Sequence, residues 1–138
     1  MVKTKLPKTK LVEKIVFSID EVKGVDVNLL DLRKINNTVC GFFIICTGTS
    51  NTHVSAITSS IKKNVSKALK EKPYSMEGIE NQEWVLIDYV DVVVHIFQKN
   101  VREFYDIENL WGDAKILKII NLTKEFDKWL KLNCPRQN

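Results

Sequence analysis

Apolar residues recur along this chain with two periods, and the changes of period mark out its elements. Leu11, Ile15, Ile19 and Val22 fall at steps of three and four, the spacing of one helical face. An amphipathic helix is therefore predicted from about residue 11 to 22, with Gly24 as its stop. In VDVNLLDL (25–32), Val25, Val27 and Leu29 alternate as a strand with one buried face requires. KINNTVCG (34–41) contains turn formers, and FFIICT (42–47) is a short apolar run rich in aromatic and β-branched residues. Such a run suits a central strand buried on both faces. GTSN (48–51) ends it and supplies hydroxyls to cap a following helix. Val54, Ile57, Ile61, Val65 and Leu69 define that helix, with Lys62, Lys63 and Lys67 largely on its other side.

Residues 71–83 read as a loop or irregular edge, and WVLIDY (84–89) and VVVHIF (92–97) as two strong strands. Only Val90 and Asp91 separate them, a hairpin-sized gap in which a valine is poor turn chemistry, so a shifted turn or bulge is expected. Asn100 is placed to cap a short helix carrying Val101, Phe104, Tyr105 and Ile107, and LWG (110–112) closes the body. The remainder, from Lys115, has helical periodicity and frays at Pro135. The order strand, strand, helix, strand, strand predicts an α/β fold, a mixed β-sheet packed with helices. The link from 42–47 to 84–89 is a right-handed crossover if those strands are parallel. Three stretches are expected: a flexible basic tail over 1–10, a folded domain over 11–114, and a helical extension over 115–138 with a frayed end.

Length and composition suit one globular domain, at 138 residues with 44% hydrophobic and 28% charged. No apolar run approaches the roughly 20 residues that span a bilayer. The lysine-rich start has no signal-type apolar stretch after it, so a cytoplasmic protein is expected. Cys40, Cys46 and Cys134 are odd in number and form no CxxC pair, which fits free thiols in a reducing compartment. The net charge of +4 conceals an asymmetry: residues 1–10 hold four lysines and no acid, residues 113–138 six bases and three acids, and the body between is at −3. A nucleic-acid binder places its basic excess on the folded face that grips phosphate. Direct RNA recognition by the core is therefore not expected, although the basic tails are suited to peripheral contact with RNA.

Three blocks are more specific than any periodicity. CGFFIICTGTSNTHVSAI (40–57), EGIENQEWVLIDYVDVVVHIF (77–97) and VREFYDIENLWGDA (101–114) together resemble the ribosomal silencing factor (Iojap-like) family. The likeness covers about residues 11–114. It departs from the family's usual pattern at Gly41, where an acid is usual, at Val90, where a glycine is usual, and conservatively at Ile107, where a leucine is usual. Gly41 removes a negative charge from the strand entry.

The resemblance implies a nucleotidyltransferase-like topology without the catalytic carboxylates or the activity. It also implies docking to the large ribosomal subunit through a protein of the intersubunit face, the one numbered fourteen in the standard scheme. Exclusion of the small subunit then represses translation. A part in large-subunit assembly is the alternative that organelle relatives suggest, and homodimerisation is a family property.

The residues themselves support a docking protein. Residues 80–108 hold seven acids against Lys99 and Arg102, a local balance of −5, interleaved with aromatics. Aromatic anchors ringed by charge suit a protein interface, and a basic partner gains on-rate and specificity from the field. Trp84, Leu86, Asp88, Tyr89, Asp91, Phe104, Tyr105, Glu108 and Trp111 are the candidates. By alternation Trp84, Leu86 and Asp88 share one strand face and Val85, Ile87 and Tyr89 the other, the first being the better docking face. His95, mid-strand with Val93 and Phe97, reads as a structural histidine, and His53 has no visible partner. Arg102 is suited to pair with Glu108 or Asp106.

The rival from another class is a metal-dependent nucleotidyltransferase using GTS (48–50) as a phosphate turn. That chemistry needs carboxylates converging on a metal, ordinarily a DxD pair. The chain has no DxD, and Asp88 and Asp91 are three apart, on opposite sides of an extended strand. No enzyme, cofactor or metal site is expected.

Overall fold

The structure is a computed structural model that describes residues 8–35, 41–119, 128 and 131. In chain order its elements are α1 (Lys8–Glu21), β1 (Val25–Asp31), β2 (Phe42–Gly48), α2 (Asn51–Leu69), β3 (Ser75–Glu77), β4 (Trp84–Asp88), β5 (Val92–Gln98), α3 (Lys99–Tyr105), α4 (Ile107–Leu110) and β6 (Lys115–Ile119). The strands form one sheet in the order β3-β4-β5-β2-β1-β6. Only β2 and β5 are parallel, from Phe42 opposite Val92 to Gly48 opposite Gln98; every other neighbouring pair is antiparallel. The mixed α/β sheet expected from the sequence is therefore what forms.

The crossover lands elsewhere than the simplest reading allows. β4 lies outside β5 and runs antiparallel to it, so β2 and β4 are neither parallel nor adjacent. After α2 the chain skips to the sheet edge and returns through the hairpin to place β5 against β2. Hydrophobicity explains the order. β5 carries buried Val92, Val94 and Ile96 on one side and Val93, His95 and Phe97 on the other, so it needs cover on both faces and a neighbour along each edge. β4 is buried on alternate residues only and suits a position next to the edge.

One face of the sheet carries α1 and α2. Val12, Ile15 and Ile19 of α1 meet Val54, Ile57, Ile61 and Val65 of α2 over Ile44, Cys46, Val94 and Ile96, all buried. Burying each such side chain contributes about 1.5–3 kcal/mol. Ser50 caps α2, its Oγ accepting from the His53 N–H at 3.0 Å, the role read for GTS. His53 does have partners: its Nδ1 accepts from the Thr49 N–H at 2.8 Å, and Nε2 reaches the Val22 carbonyl at 2.8 Å. It ties the end of the first helical segment to the start of α2.

Three expectations change. Residues 8–10, expected in the basic tail, are the first turn of α1. Lys115–Ile119, expected to begin a helical extension, form β6 against β1, with Val27 opposite Ile119 and Asp31 opposite Lys115. Five residues of KILKI fit either period, and the open edge of β1 decides between them by offering hydrogen-bond partners. Leu117 and Ile119 then pack on the main core. The rest of the expected extension, apart from residues 128 and 131, lies outside the described residues, as do residues 1–7, Cys40 and Cys134. Asn100 does not cap α3. The cap position is Gln98, whose side chain instead donates to Asn51 Oδ1 and to the Gln82 carbonyl.

The hairpin is built around a strained valine. Val90 has φ 77°, and the Asp91 N–H closes onto the Tyr89 carbonyl at 2.9 Å, a three-residue turn. A β-branched residue is a genuine outlier at positive φ, at about 1–3 kcal/mol. Val90 is half exposed, so little packing is lost with its side chain. Val90→Gly is therefore expected to raise stability by about 1 kcal/mol after the added flexibility of the unfolded chain is offset. A urea midpoint that fails to rise would show that the turn carries no strain.

Candidate docking face

Among the described residues, no long helix lies over the second sheet face. Leu30, Ile45, Val93 and Phe97 are buried there under α3, α4 and the turn after them, with Phe43, Trp84, Leu86 and Trp111 partly covered at the margin. From that margin Trp84 makes ring contacts with His95, Phe97 and Tyr105. The turn before β4 needs Gly78 at φ +83°, where a Cβ would meet the Trp84 carbonyl oxygen at 1.9 Å. Trp84 stacks on Phe97 (4.8 Å between centroids, 28°) and meets Tyr105 of α3 at 4.8 Å. Its Nε1–H donates to His95 Nδ1 at 3.1 Å.

His95 is a structural residue here, 5% exposed, and burial pushes its pKa down to about 4 despite the opposing field of Glu108. A neutral imidazole accepting at Nδ1 carries its proton at Nε2, which has no hydrogen-bond partner in the structure. The tryptophan is thus held by a ring that keeps one charge state across physiological pH.

Ring contacts continue in both directions. Phe43 lies 4.7 Å from His95 and 5.5 Å from Trp111, and Phe104 stands edge-on to Tyr105 at 5.0 Å. The run ends in apolar groups facing solvent: Phe104 is 80% exposed, Leu110 75% and Tyr105 49%. Apolar side chains are therefore solvated next to both ends of the ring run, at Phe104 and Tyr105 and at Leu110 beside Trp111.

Of the predicted residues, Trp84, Leu86, Asp88, Phe104, Tyr105 and Trp111 lie on or beside this face. Asp88 also accepts from the Val90 N–H at 2.7 Å, and Asp91 sits in the hairpin turn. Two are corrected. Tyr89 points through the sheet into the main core, 5% exposed, and burial, with Glu71 adding to it, pushes its pKa up to about 12. It follows Asp88 in the alternation and so takes the opposite face.

Glu108 is spent inside the molecule. Its carboxylate accepts from Arg102 Nη2 at 2.6 Å and from Asn28 Nδ2 at 2.6 Å. Arg102 Nη1 donates in addition to the Asp26 carbonyl (2.7 Å) and Thr47 Oγ1 (2.8 Å). Arg102 therefore staples α3 and α4 to β1 and β2. Burial works to raise the Glu108 pKa, yet the bonds from Arg102 and Asn28 hold it below the usual range. Phe43 and Leu110 are not among the predicted residues; Phe43 joins the ring contacts of this face, and Leu110 is exposed beside Trp111. Leu110 adjoins Trp111 and reads as a closing core residue, and Phe43 lies within an apolar run that offers no hint of which side is left open.

A cleft of about 660 Å³ lies beside Arg102, between Thr47, Asn28, Lys99 and Asp106. The guanidinium facing it is already bonded to Glu108, Asp26 and Thr47, and the GTS turn spends its Thr49 N–H and Ser50 hydroxyl on His53. These donors are engaged within the chain. Among the described residues, no three His, Cys, Asp or Glu side chains gather as a metal site would need, and no helix is long and apolar enough to cross a membrane.

Residues 5–133 match the model of the family described as ribosomal silencing factor during starvation. The ribosomal silencing factor RsfS of Halalkalibacterium halodurans is 38% identical over 110 residues, covering 80% of this chain and 92% of that protein. The protein of that name from Bacillus subtilis is 40% identical over 98 residues, 70% and 80% of the two chains. The fold is also that of a Chromobacterium violaceum protein solved by X-ray crystallography, with a TM-score of 0.74 and 32% identity, covering 88% of this chain and 99% of that one. With its three sequence blocks set around one aromatic face, the chain belongs to the ribosomal silencing factor family.

Proposed function

We propose that this chain is a cytoplasmic, non-enzymatic repressor of translation. It binds the large ribosomal subunit through a basic protein of the intersubunit face and keeps the small subunit away by its bulk. The observation that carries the reading is the run of rings from Trp111 through Phe43, His95, Trp84 and Tyr105 to Phe104, ending in exposed apolar groups among acids. Rigid aromatic anchors lose little entropy on binding, and the acids steer a basic partner into register. Trp84 and Phe97 stack beneath the surface, so the face is ordered before contact. The family's name supports the ribosome as target, and exposed aromatics among acids support a protein contact as the means of holding it.

The test is sedimentation with separated subunits. The protein should travel with the large subunit, leave the small one alone, and suppress joining when both are mixed. Asp88→Lys, a charge reversal at the rim, is expected to weaken large-subunit binding by about 1–2 kcal/mol, roughly five- to thirtyfold. A protein that stays at the top of the gradient, or rides the large subunit while joining proceeds, sinks the reading.

A further inference from the structure

The side of the molecule facing away from the aromatic patch has the opposite charge. Between residues 51 and 72 the chain holds five lysines and one acid, Glu71. α2 itself contains no acid, and its Lys62, Lys63 and Lys67 are exposed on the side turned from the core. Lys62, Lys63 and Lys72 line a shallow groove of about 710 Å³ together with Ser59, Ser66 and Ser75, against the single acid Glu71. Among the described residues no ion pair engages any of these lysines. Tyr74, 78% exposed, stands between two residues that line the groove, Pro73 and Ser75. Its backbone is fixed, the N–H donating to the Asp88 carbonyl at 2.6 Å.

We propose that this groove binds the sugar–phosphate backbone of RNA, with Tyr74 as a platform for one unstacked base. Unpaired lysines and serine hydroxyls are the donors that hold phosphates. An exposed aromatic beside such a groove accepts a base face whatever the sequence. An acidic protein would also meet the lysines, but the exposed ring on the segment that flanks the groove favours a nucleic acid, whose bases stack on such a face. The net −3 of residues 11–112 averages this basic side with the acidic stretch 80–108, so the sum hides both. α2 lies on the opposite sheet face from Trp84, and a chain docked by its acidic side can therefore grip ribosomal RNA with its basic one. The placement on the ribosome rests on the proposed function; the groove's affinity for RNA does not.

Full-length protein is titrated with purified large subunits and, separately, with an oligouridine RNA about 20 nucleotides long, across a range of salt. Lys62→Gln/Lys63→Gln/Lys72→Gln is expected to lose tenfold or more in oligouridine affinity at low salt. The slope of log K against log salt should become shallower by about two, for three phosphate contacts removed. Tyr74→Ala should weaken oligouridine about tenfold with the slope unchanged, because stacking releases no counterion. On large subunits the triple variant should bind more weakly with the same loss of slope. Unchanged oligouridine affinity and slope in both variants would overturn the proposal. So would a loss confined to subunits, which would assign the groove to an acidic protein. A wild-type protein that binds oligouridine in this way but ignores large subunits would overturn the proposed function and leave the groove standing. Should the triple variant unfold, Lys72→Gln, outside the helix, carries the same comparison.

Discussion

Replacing Arg102 by methionine is expected to lower stability by about 3 kcal/mol and the melting temperature by roughly 10 °C. The guanidinium is only 12% exposed and its Glu108 partner 18%, so removing one leaves a half-buried carboxylate held by Asn28 alone. The bonds to the Asp26 carbonyl and Thr47 Oγ1 go with it. α3 and α4 are seven and four residues long, too short to persist without tertiary support, so the loss should loosen the shelf that presents Phe104 and Leu110.

The acid side of the stability curve supplies a second signature. The Glu108 pKa is depressed from its ordinary 4.5, so its contribution is whole above that value and is lost as pH falls through the lower folded-state pKa. In Arg102→Met the carboxylate is desolvated without its main partner, so acid should cost this variant less than it costs the wild type. The double variant Arg102→Met/Glu108→Gln should recover part of the loss, since no unpaired charge remains. Urea titrations at several pH values measure all three. A single-variant loss below about 1 kcal/mol would show the pair to be an ordinary surface contact.

Trp84→Ala should act on both stability and docking. It removes the stack on Phe97, the support of Tyr105 and the donor to His95 Nδ1, leaving a half-buried gap and two unsatisfied imidazole nitrogens. The expected cost in stability is about 2–4 kcal/mol, the range for truncating a large core side chain. Large-subunit affinity should fall by at least tenfold in the fraction that remains folded. Phe104→Ala separates the two effects. That ring is 80% exposed, so stability should move by less than about 0.5 kcal/mol while affinity falls. If Phe104→Ala and Trp84→Ala both co-sediment like wild type at a temperature where each is folded, the aromatic run is not the docking face.

Most of the elements were legible in the sequence, because their periods are long and clean. The helical spacing from Val54 to Leu69, the apolar run at 42–47 and the paired strands around Val90 predict α2, β2, β4 and β5 to within a residue or two. The three sequence blocks identified the family, and alternation along 84–88 correctly separated Trp84, Leu86 and Asp88 from the buried Val85 and Ile87. Periodicity reports which side chains share a side. It does not report what stands opposite them.

Tertiary structure decided the rest. β5, not β4, became the parallel neighbour of β2 because only β5 is apolar on both faces. KILKI became a strand because β1 had an open edge. Glu108 turned inward because folding brings Arg102 and Asn28 to it, and Asn28 is 80 positions away along the chain. A net charge is a sum over sequence, whereas recognition depends on which charges share a surface. The acidic patch and the basic groove of this protein cancel in the first and are kept apart, by the thickness of a sheet and a helix, in the second.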